Sequence, residues 1–139
     1  MYDEDPKGVL QTQDGPVYTA PAERKGNCMQ ASVATLLGLQ LDEVPPFHNW
    51  ITSREDQTWW TKIEGFFADK GYVLRRFKVM GGTEPPEERC LLAGYAMAPN
   101  GALCSHLVVG EHGRIVWDPH PLRPGLATVE EVWMPGRAE

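Results

Sequence analysis

A cysteine stands where a helix is predicted to begin, a position at which a thiol can act as a nucleophile. Gly26 permits a tight turn, Asn27 is a favourable N-cap, and Cys28 follows directly. Gly38 is a typical helix stop, and four apolar residues before it share one helix face: Met29, Val33, Leu36 and Leu37. Unpaired N–H groups and the positive end of the helix dipole favour a thiolate in the first turn. Cys28 is therefore a candidate nucleophile, with a small buried core residue as the alternative interpretation.

A histidine and an aspartate occur on two segments that form a predicted β-hairpin. Residues 105–110 and 114–118 have strand character, and the loop 111–113 between them carries glycine at its last position. A carboxylate bonded to one imidazole nitrogen fixes the tautomer and leaves the other nitrogen to accept a proton from a nucleophile. His106 and Asp118 are thus a candidate base and its orienting carboxylate. Taken alone, His106 would instead be interpreted as a core histidine bonded to the backbone.

The register of this hairpin decides whether the two side chains meet. With a three-residue loop, Gly110 pairs with Arg114. Equal steps outward then place His106 opposite Asp118, on one face of the sheet. A two-residue loop would pair His106 with Trp117 and turn Asp118 to the other face. The position of glycine in the loop favours the first register, so we expect His106 and Asp118 to be neighbours.

The rest of the chain must position these residues. Residues 1–26 are predicted to be an irregular lead-in, 27–71 a helical part and 72–134 an antiparallel sheet. A second helix is expected from Arg54 to Lys70, and its aromatic residues are interpreted as core packing rather than a ligand box: Trp59, Trp60, Phe66 and Phe67. The predicted strands are 72–79, 91–97, 102–110, 114–118 and 129–134. This order predicts a single α+β domain over residues 1–139.

Size and charge restrict the classes of function. The chain has 139 residues, of which 42% are hydrophobic and 23% charged, as in a soluble globular domain. Its 19 acidic and 13 basic residues give a net charge of −6, and phosphate backbones are bound by clustered Lys and Arg. No apolar run approaches the ~20 residues that cross a bilayer. We therefore expect neither a nucleic-acid nor a membrane partner.

The cysteines indicate the compartment and bear on metal binding. Three occur, an odd number without CxxC spacing: Cys28, Cys90 and Cys104. Such thiols are typical of a reducing, cytoplasmic location, and the acidic segment 1–5 does not have the form of a secretory signal. A zinc site is the rival interpretation, formed by Cys104 and His106 with His112 or His120. Its spacing matches no common zinc pattern, so neither a metal nor an organic cofactor is expected.

Three short segments together resemble the papain-like cysteine peptidase superfamily. They are Asn27-Cys28 opening an Ala-rich helix, the His106 segment 105–110, and Val116-Trp117-Asp118-Pro119. The chain is most similar, over roughly residues 20–122, to the compact branch that includes bacteriocin leader-processing peptidases and small phage and bacterial relatives. The resemblance implies a thiol hydrolase that cleaves an amide or peptide bond through a thioester. It also implies Cys28 as nucleophile, His106 as general base and then acid, and Asp118 as the orienting residue.

The chain departs from the family at one catalytic position. Relatives carry a glutamine six residues before the cysteine, and its side chain donates to the oxyanion; here that residue is Ala22. Losing one such donor costs about 3–4 kcal/mol of transition-state stabilisation. Substitutes are the backbone N–H of Cys28 and nearby amide side chains: Gln11, Gln13, Asn27 and Gln30. The departure is compatible with a weak hydrolase, a transferase or an inactive relative used for binding.

Three hypotheses therefore remain open. The first is hydrolysis of a peptide or small amide in a cleft between the first helix and the sheet, edged by Trp50, His48 and His120. His120, which lies between two prolines, is a candidate for substrate contact. The second is a non-catalytic binding module on the same fold, since a fold alone does not establish turnover. The third is an amidase, deamidase or acyltransferase that uses the same residues. The oligomeric state is open in all three.

Overall fold

Two helices precede a five-stranded sheet in this chain. The computed structural model describes residues 8–13, 15, 20, 25–79, 86–97 and 101–137. The helices are α1 (Cys28–Leu37) and α2 (Thr58–Asp69), with 3-10 turns at Leu41–Glu43 and Phe47–Trp50 between them. The strands are β1 (Tyr72–Lys78), β2 (Cys90–Met97), β3 (Leu103–Glu111), β4 (Arg114–Trp117) and β5 (Thr128–Arg137). All neighbours in the order β1-β5-β2-β3-β4 pair antiparallel, so the predicted α+β class is confirmed.

Helix α1 follows the prediction closely, except at its cap. It begins at Cys28 and ends before Gly38, which adopts the left-handed conformation expected of a helix stop. Asn27 precedes it but makes no side-chain capping bond. Instead, its Oδ1 accepts from the N–H groups of Thr12 and Gln13, both at 2.9 Å. The asparagine therefore ties the lead-in to the helix rather than capping the first turn.

Helix α2 begins four residues later than predicted. Asp56 Oδ1 accepts both the backbone N–H and the hydroxyl of Thr58, at 2.9 and 2.6 Å. Such a side chain satisfies an N–H group that the first turn of a helix leaves unpaired, so the helix starts at Thr58 rather than at Arg54. The predicted stop at Gly71 is confirmed, since its N–H bonds to the carbonyl of Ala68.

The main core lies where the two helices pack against the sheet. Its fully buried members include Val33, Phe47, Ile63, Phe67, Leu91 and Val109. The aromatic stripe of α2 belongs to this core, as predicted, with Trp59 and Phe67 buried. Burial of one large apolar side chain contributes about 1.5–3 kcal/mol, so this layer fixes the helices against the sheet. A second cluster contains Cys90, Leu92, Val108 and Val132.

The β3–β4 hairpin has a different register from the predicted one. The loop is the two-residue pair His112-Gly113, both with positive φ, and Glu111 pairs with Arg114. Such a loop is favoured by the twist of the strands. A bulge then shifts the pairing, so that Val109 pairs with Trp117. Relative to the predicted register the total shift is two residues, an even number, and a shift of two keeps each residue on its original face.

A second bulge interrupts the pairing of β2 with β5. Ala93 pairs with Glu131 and Gly94 with Val129, which leaves Glu130 without a partner on β2. A Cβ atom added at Gly94 would overlap the backbone carbonyl of Thr128. The two strands therefore approach more closely at this bulge than any residue other than glycine allows.

Within the described ranges, no helix is both long enough and apolar enough to cross a membrane.

The close approach at Gly94 gives a stability test with a matched control. We expect Gly94→Ala to lower the free energy of unfolding by about 3 kcal/mol, because the added methyl meets backbone that cannot move aside. Gly65 lies within α2, and a Cβ there meets nothing within 4 Å. Gly65→Ala should therefore raise the free energy of unfolding by about 0.5–1 kcal/mol. Urea unfolding of both variants measures the contrast, and equal effects would contradict it.

Candidate active site

The structure brings together three residues from separate elements: Cys28 from the start of α1, His106 from β3 and Asp118 from the end of β4. His106 Nε2 lies 2.7 Å from Asp118 Oδ1, and Cys28 makes a side-chain hydrogen bond with the same imidazole. The side chains of His106 and Asp118 are 6% and 0% exposed. Because Asp118 occupies Nε2, the other ring nitrogen is left for the sulfur. The arrangement is a nucleophile, a base and an orienting carboxylate in sequence.

Asp118 is held by more than the imidazole. Its Oδ1 also accepts from the N–H of His120 at 3.0 Å, and its Oδ2 accepts from the N–H of Gly125 at 2.7 Å. Burial alone would raise the pKa of Asp118, but the hydrogen bond and charge of His106, with these two N–H groups, lower it below 3.8. The loop that follows β4 thus folds back to keep Asp118 ionised in a buried position.

His106 is correspondingly stabilised as an imidazolium. Burial lowers its pKa, but hydrogen bonds with Asp118 and Cys28 and their negative charges outweigh that effect and raise the pKa to about 10. A positively charged imidazole beside a sulfur favours the thiolate. The imidazole of His106 therefore lies between the Cys28 sulfur and the ionised Asp118 carboxylate.

The position of Cys28 relative to His106 is set by the packing of α1 on β3. One turn after Cys28, the buried Ser32 hydroxyl donates to the carbonyl of Leu107 at 2.9 Å. At the far end of α1, Arg89 donates to the carbonyl of Thr35 at 3.1 Å. Each bond joins the helix to a residue of, or next to, the central strands. Cys28 and His106 therefore lie on regular elements, α1 and β3, and side-chain bonds from Ser32 and Arg89 fix the helix against the sheet.

A cleft of about 430 Å³ opens at Cys28 and His106. It extends toward β1, and its lining includes Met29, Trp59, Arg76, Tyr95, Ser105 and Glu131. Glu130 lines it too, although consecutive strand residues normally point to opposite faces. The bulge at Gly94 explains this, since a bulge re-aims the side chain of the extra residue. The cleft thus combines apolar, hydroxyl and charged groups beside the candidate nucleophile.

Arg76, which also lines the cleft, is held by several contacts. Its Nε donates to Glu131 at 2.8 Å and its Nη1 to Gln57 at 2.9 Å. The guanidinium carbon also lies 4.7–5.8 Å from three ring centroids, those of Trp59, Trp60 and Trp133. Cation–π contacts of this kind immobilise the side chain. Nothing in the sequence pattern indicated this cluster, because Arg76 and Glu131 come together only through the pairing of β1 with β5.

The amide side chains of Asn27 and Gln30, two of the four predicted as oxyanion donors, are hydrogen-bonded to other groups. Both N–H groups of Asn27 Nδ2 are engaged, by Thr12 at 3.0 Å and by Gln30 at 3.3 Å. The Nε2 of Gln30 donates to the carbonyls of Leu41 and Val44, at 3.1 and 2.8 Å. Asn27 and Gln30 line a different cavity, of about 720 Å³, that does not include Cys28 or His106.

The other two predicted amide donors, Gln11 and Gln13, are hydrogen-bonded to backbone carbonyls. Gln11 Nε2 donates to the carbonyl of Gln13, and Gln13 Nε2 to that of Lys25, both at 2.8 Å. Ala22, at the usual glutamine position, lies outside the described residues. The N–H of Cys28 is in the first helical turn, where no intrahelical acceptor exists, so it is the donor best placed beside the sulfur.

Of the residues predicted to edge the cleft, only His120 lies near the site. Its ring centroid is 6.3 Å from that of His106, and its Nδ1 accepts from the N–H of Leu122. His48 is buried and lines the larger cavity instead. Trp50 lines neither of the two cavities described. Neither His48 nor Trp50 lines the cleft at Cys28, in contrast to the prediction, and the 3-10 turn Phe47–Trp50 packs against both helices.

No group of three or more His, Cys, Asp or Glu side chains that could hold a metal ion occurs within the part of the chain that the structure describes. Cys104, at the start of β3, is exposed, and His112 lies on the β3–β4 turn at the other end of the strand.

Comparisons with protein-family models, curated proteins and solved structures find no match to this chain.

The raised pKa of His106 gives a pH-dependent contribution to stability with a definite sign. A group whose pKa is higher in the folded state stabilises that state fully below its unfolded value and progressively less above it. The contribution of His106 should therefore be constant below pH 6.5 and be lost as pH rises toward about 10. Urea unfolding of the natural chain and His106→Asn between pH 5 and 10.5 measures it. His112→Asn is the control, since that side chain is 67% exposed. The result would contradict the assignment if the difference in unfolding free energy between the natural chain and His106→Asn grew above pH 7.

Proposed function

We propose that this protein is a thiol hydrolase that cleaves an amide or peptide bond through a thioester on Cys28. The observation that carries the proposal is the buried His106, which contacts Cys28 on one side and Asp118 at 2.7 Å on the other. Buried charge of this kind is expensive to maintain, and strongly perturbed pKa values beside a cleft are typical of functional sites. The resemblance of the same three segments to papain-like peptidases supports the proposal, and a papain-like fold is part of it.

Each residue has a defined part in the proposed reaction. The Cys28 thiolate attacks the substrate carbonyl carbon, and the oxyanion that forms lies near the N–H of Cys28. His106 then donates its proton to the leaving amine, which departs as a thioester forms. The neutral His106 next accepts a proton from water, and the resulting hydroxide attacks the thioester. The acid product leaves, and the thiolate–imidazolium pair is restored while Asp118 holds the ring throughout.

The substrate in this proposal is a peptide or a small amide. With water as the final acceptor, a small-amide substrate would make the protein an amidase or deamidase. With an amine as the final acceptor, the thioester would instead give a new amide, which is an acyltransferase reaction. A reducing compartment such as the cytoplasm suits the proposal, since both the nucleophile and the exposed Cys104 are reduced thiols. One observation favours a binding module instead, namely that the amide donors of Asn27 and Gln30 are engaged away from Cys28.

Alkylation by iodoacetamide separates the enzyme from the binding module. If the ion pair exists, the labelling rate of Cys28 should change little between pH 6 and pH 9, because the thiolate is already formed at pH 6. An unperturbed thiol, with a pKa of about 8.5, should instead label much faster at pH 9. His106→Ala should give Cys28 that ordinary, steep dependence. The rate ratio at the two pH values cancels differences in access to the sulfur.

The other two cysteines are internal references for this measurement by peptide-resolved mass spectrometry. Cys104 is exposed and serves as the accessible thiol with which the pH dependence of Cys28 is compared. Cys90 is fully buried, and burial with the charges of Glu88 and Glu111 raises its pKa to about 12, so it should remain unlabelled at both pH values. If the labelling rate of Cys28 in the natural chain rose between pH 6 and pH 9 as steeply as that of Cys104, the hydrolase proposal would be rejected in favour of the binding module.

Turnover itself requires the complete set of residues. In a screen of short peptides and small amides, we expect Cys28→Ala to abolish product formation and Asp118→Asn to reduce kcat by about 10²- to 10⁴-fold, because the ring is no longer oriented. Asp69→Asn, at the exposed end of α2, is the matched control and should leave kcat unchanged. Product that persists in Cys28→Ala would exclude the thioester route.

A further inference from the structure

The segment 8–13, the strap, contacts the chain on both sides of the candidate site. At one end, the carbonyl of Val9 accepts from the Trp117 indole N–H at 2.8 Å. In the middle, the N–H of Gln11 donates to the carbonyl of Pro119 at 2.9 Å. Trp117 and Pro119 are the residues immediately before and after Asp118. The strap is therefore bonded to both chain neighbours of the orienting carboxylate.

The other end of the strap is bonded to the chain neighbour of Cys28. The N–H groups of Thr12 and Gln13 both donate to Asn27 Oδ1 at 2.9 Å. The N–H of Asn27 in turn donates to the carbonyl of Gln13 at 3.2 Å. The N–H of Val9 adds a contact farther along α1, to the hydroxyl of Thr35 at 2.8 Å. One short segment thus joins helix α1 to the chain around Asp118.

The close packing of Gly8 makes this connection sensitive to a single methyl group. A Cβ atom added at Gly8 would overlap the indole ring of Trp117. Trp117 as a residue is 5% exposed. Arg123 also lies over its ring, with the guanidinium carbon 4.6 Å from the ring centroid. The indole therefore has little room to retreat, and a side chain at Gly8 would displace the strap or Trp117.

We propose that the strap is a positioning element for the catalytic residues, acting through Trp117 on Asp118 and through Asn27 on Cys28. It touches neither His106 nor the sulfur in any described contact, so its action is indirect. This inference rests on the proposed function. Displacement of the strap moves Asp118 relative to His106, and the imidazolium that supports the thiolate is lost. Errors of about 1 Å in such a constellation reduce reactivity by about 100-fold.

The test is the pH profile of Cys28 alkylation in full-length variants. Gly8→Ala should lower the Cys28 labelling rate at pH 6, divided by the rate at pH 9, by at least about tenfold. Trp117→Phe, which keeps an aromatic ring but removes the N–H to Val9, should lower it by a smaller factor of about three. Gly65→Ala introduces the same methyl where nothing lies within 4 Å and should leave the ratio unchanged. The groups facing His106 that the profile reports on are Cys28, Asp118 and His120.

The possible results distinguish a failure of the strap proposal from a failure of the hydrolase proposal. Far-ultraviolet circular dichroism and thermal unfolding establish that each variant is folded at the labelling temperature. If Gly8→Ala does not fold, Trp117→Phe alone decides the matter. A flat profile that both folded variants retain overturns the strap proposal and leaves the hydrolase proposal intact. A natural chain in which Cys28 labels like an ordinary thiol overturns the hydrolase proposal, and the role of the strap with it.

Discussion

The buried contact between His106 and Asp118 is the interaction on which the rest of the candidate site depends. A carboxylate with no solvent exposure is strongly disfavoured unless charge and hydrogen bonds compensate its lost hydration. Here the imidazolium and the N–H groups of His120 and Gly125 supply that compensation. The loop after β4 must therefore close on Asp118 for the chain to fold at all around this residue. The contacts that orient Asp118 toward His106 are consequently the same contacts that compensate its burial.

Hydrogen bonds between a helix, a strand and the strap hold the site together. Cys28 sits on a helix that bonds to β3 through Ser32, and the strap joins that helix to the chain around Asp118. The cleft beside them gains one of its charged side chains from an irregularity, because the bulge at Gly94 turns Glu130 into it. Proteins commonly break local rules of strand pairing next to functional sites, and both bulges of this sheet lie close to the residues of interest.

Local features of the fold were predictable from the sequence, and features that depend on distant contacts were not. The bounds of α1 follow from apolar spacing and Gly38, and the strands follow from alternation. The predicted register of the β3–β4 hairpin was wrong for two reasons: the loop has two residues rather than three, and a bulge in the strands cannot be read from the loop residues. Asn27 was interpreted as a cap because its bonds to the lead-in are tertiary. The strap and the role of Gly125 left no signal, since backbone groups make their contacts and many residue types supply those equally well.

The tryptophan cluster around Arg76 has a spectroscopic consequence. Three of the five indoles in the chain, those of Trp59, Trp60 and Trp133, lie with centroids 5.1–5.9 Å apart, and two of them line the cleft. Indole emission responds to local polarity and to nearby charge, and the guanidinium of Arg76 lies over these rings and also lines the cleft. Intrinsic fluorescence of the unlabelled protein should therefore report occupancy of the cleft, even for a compound that is bound and never turned over.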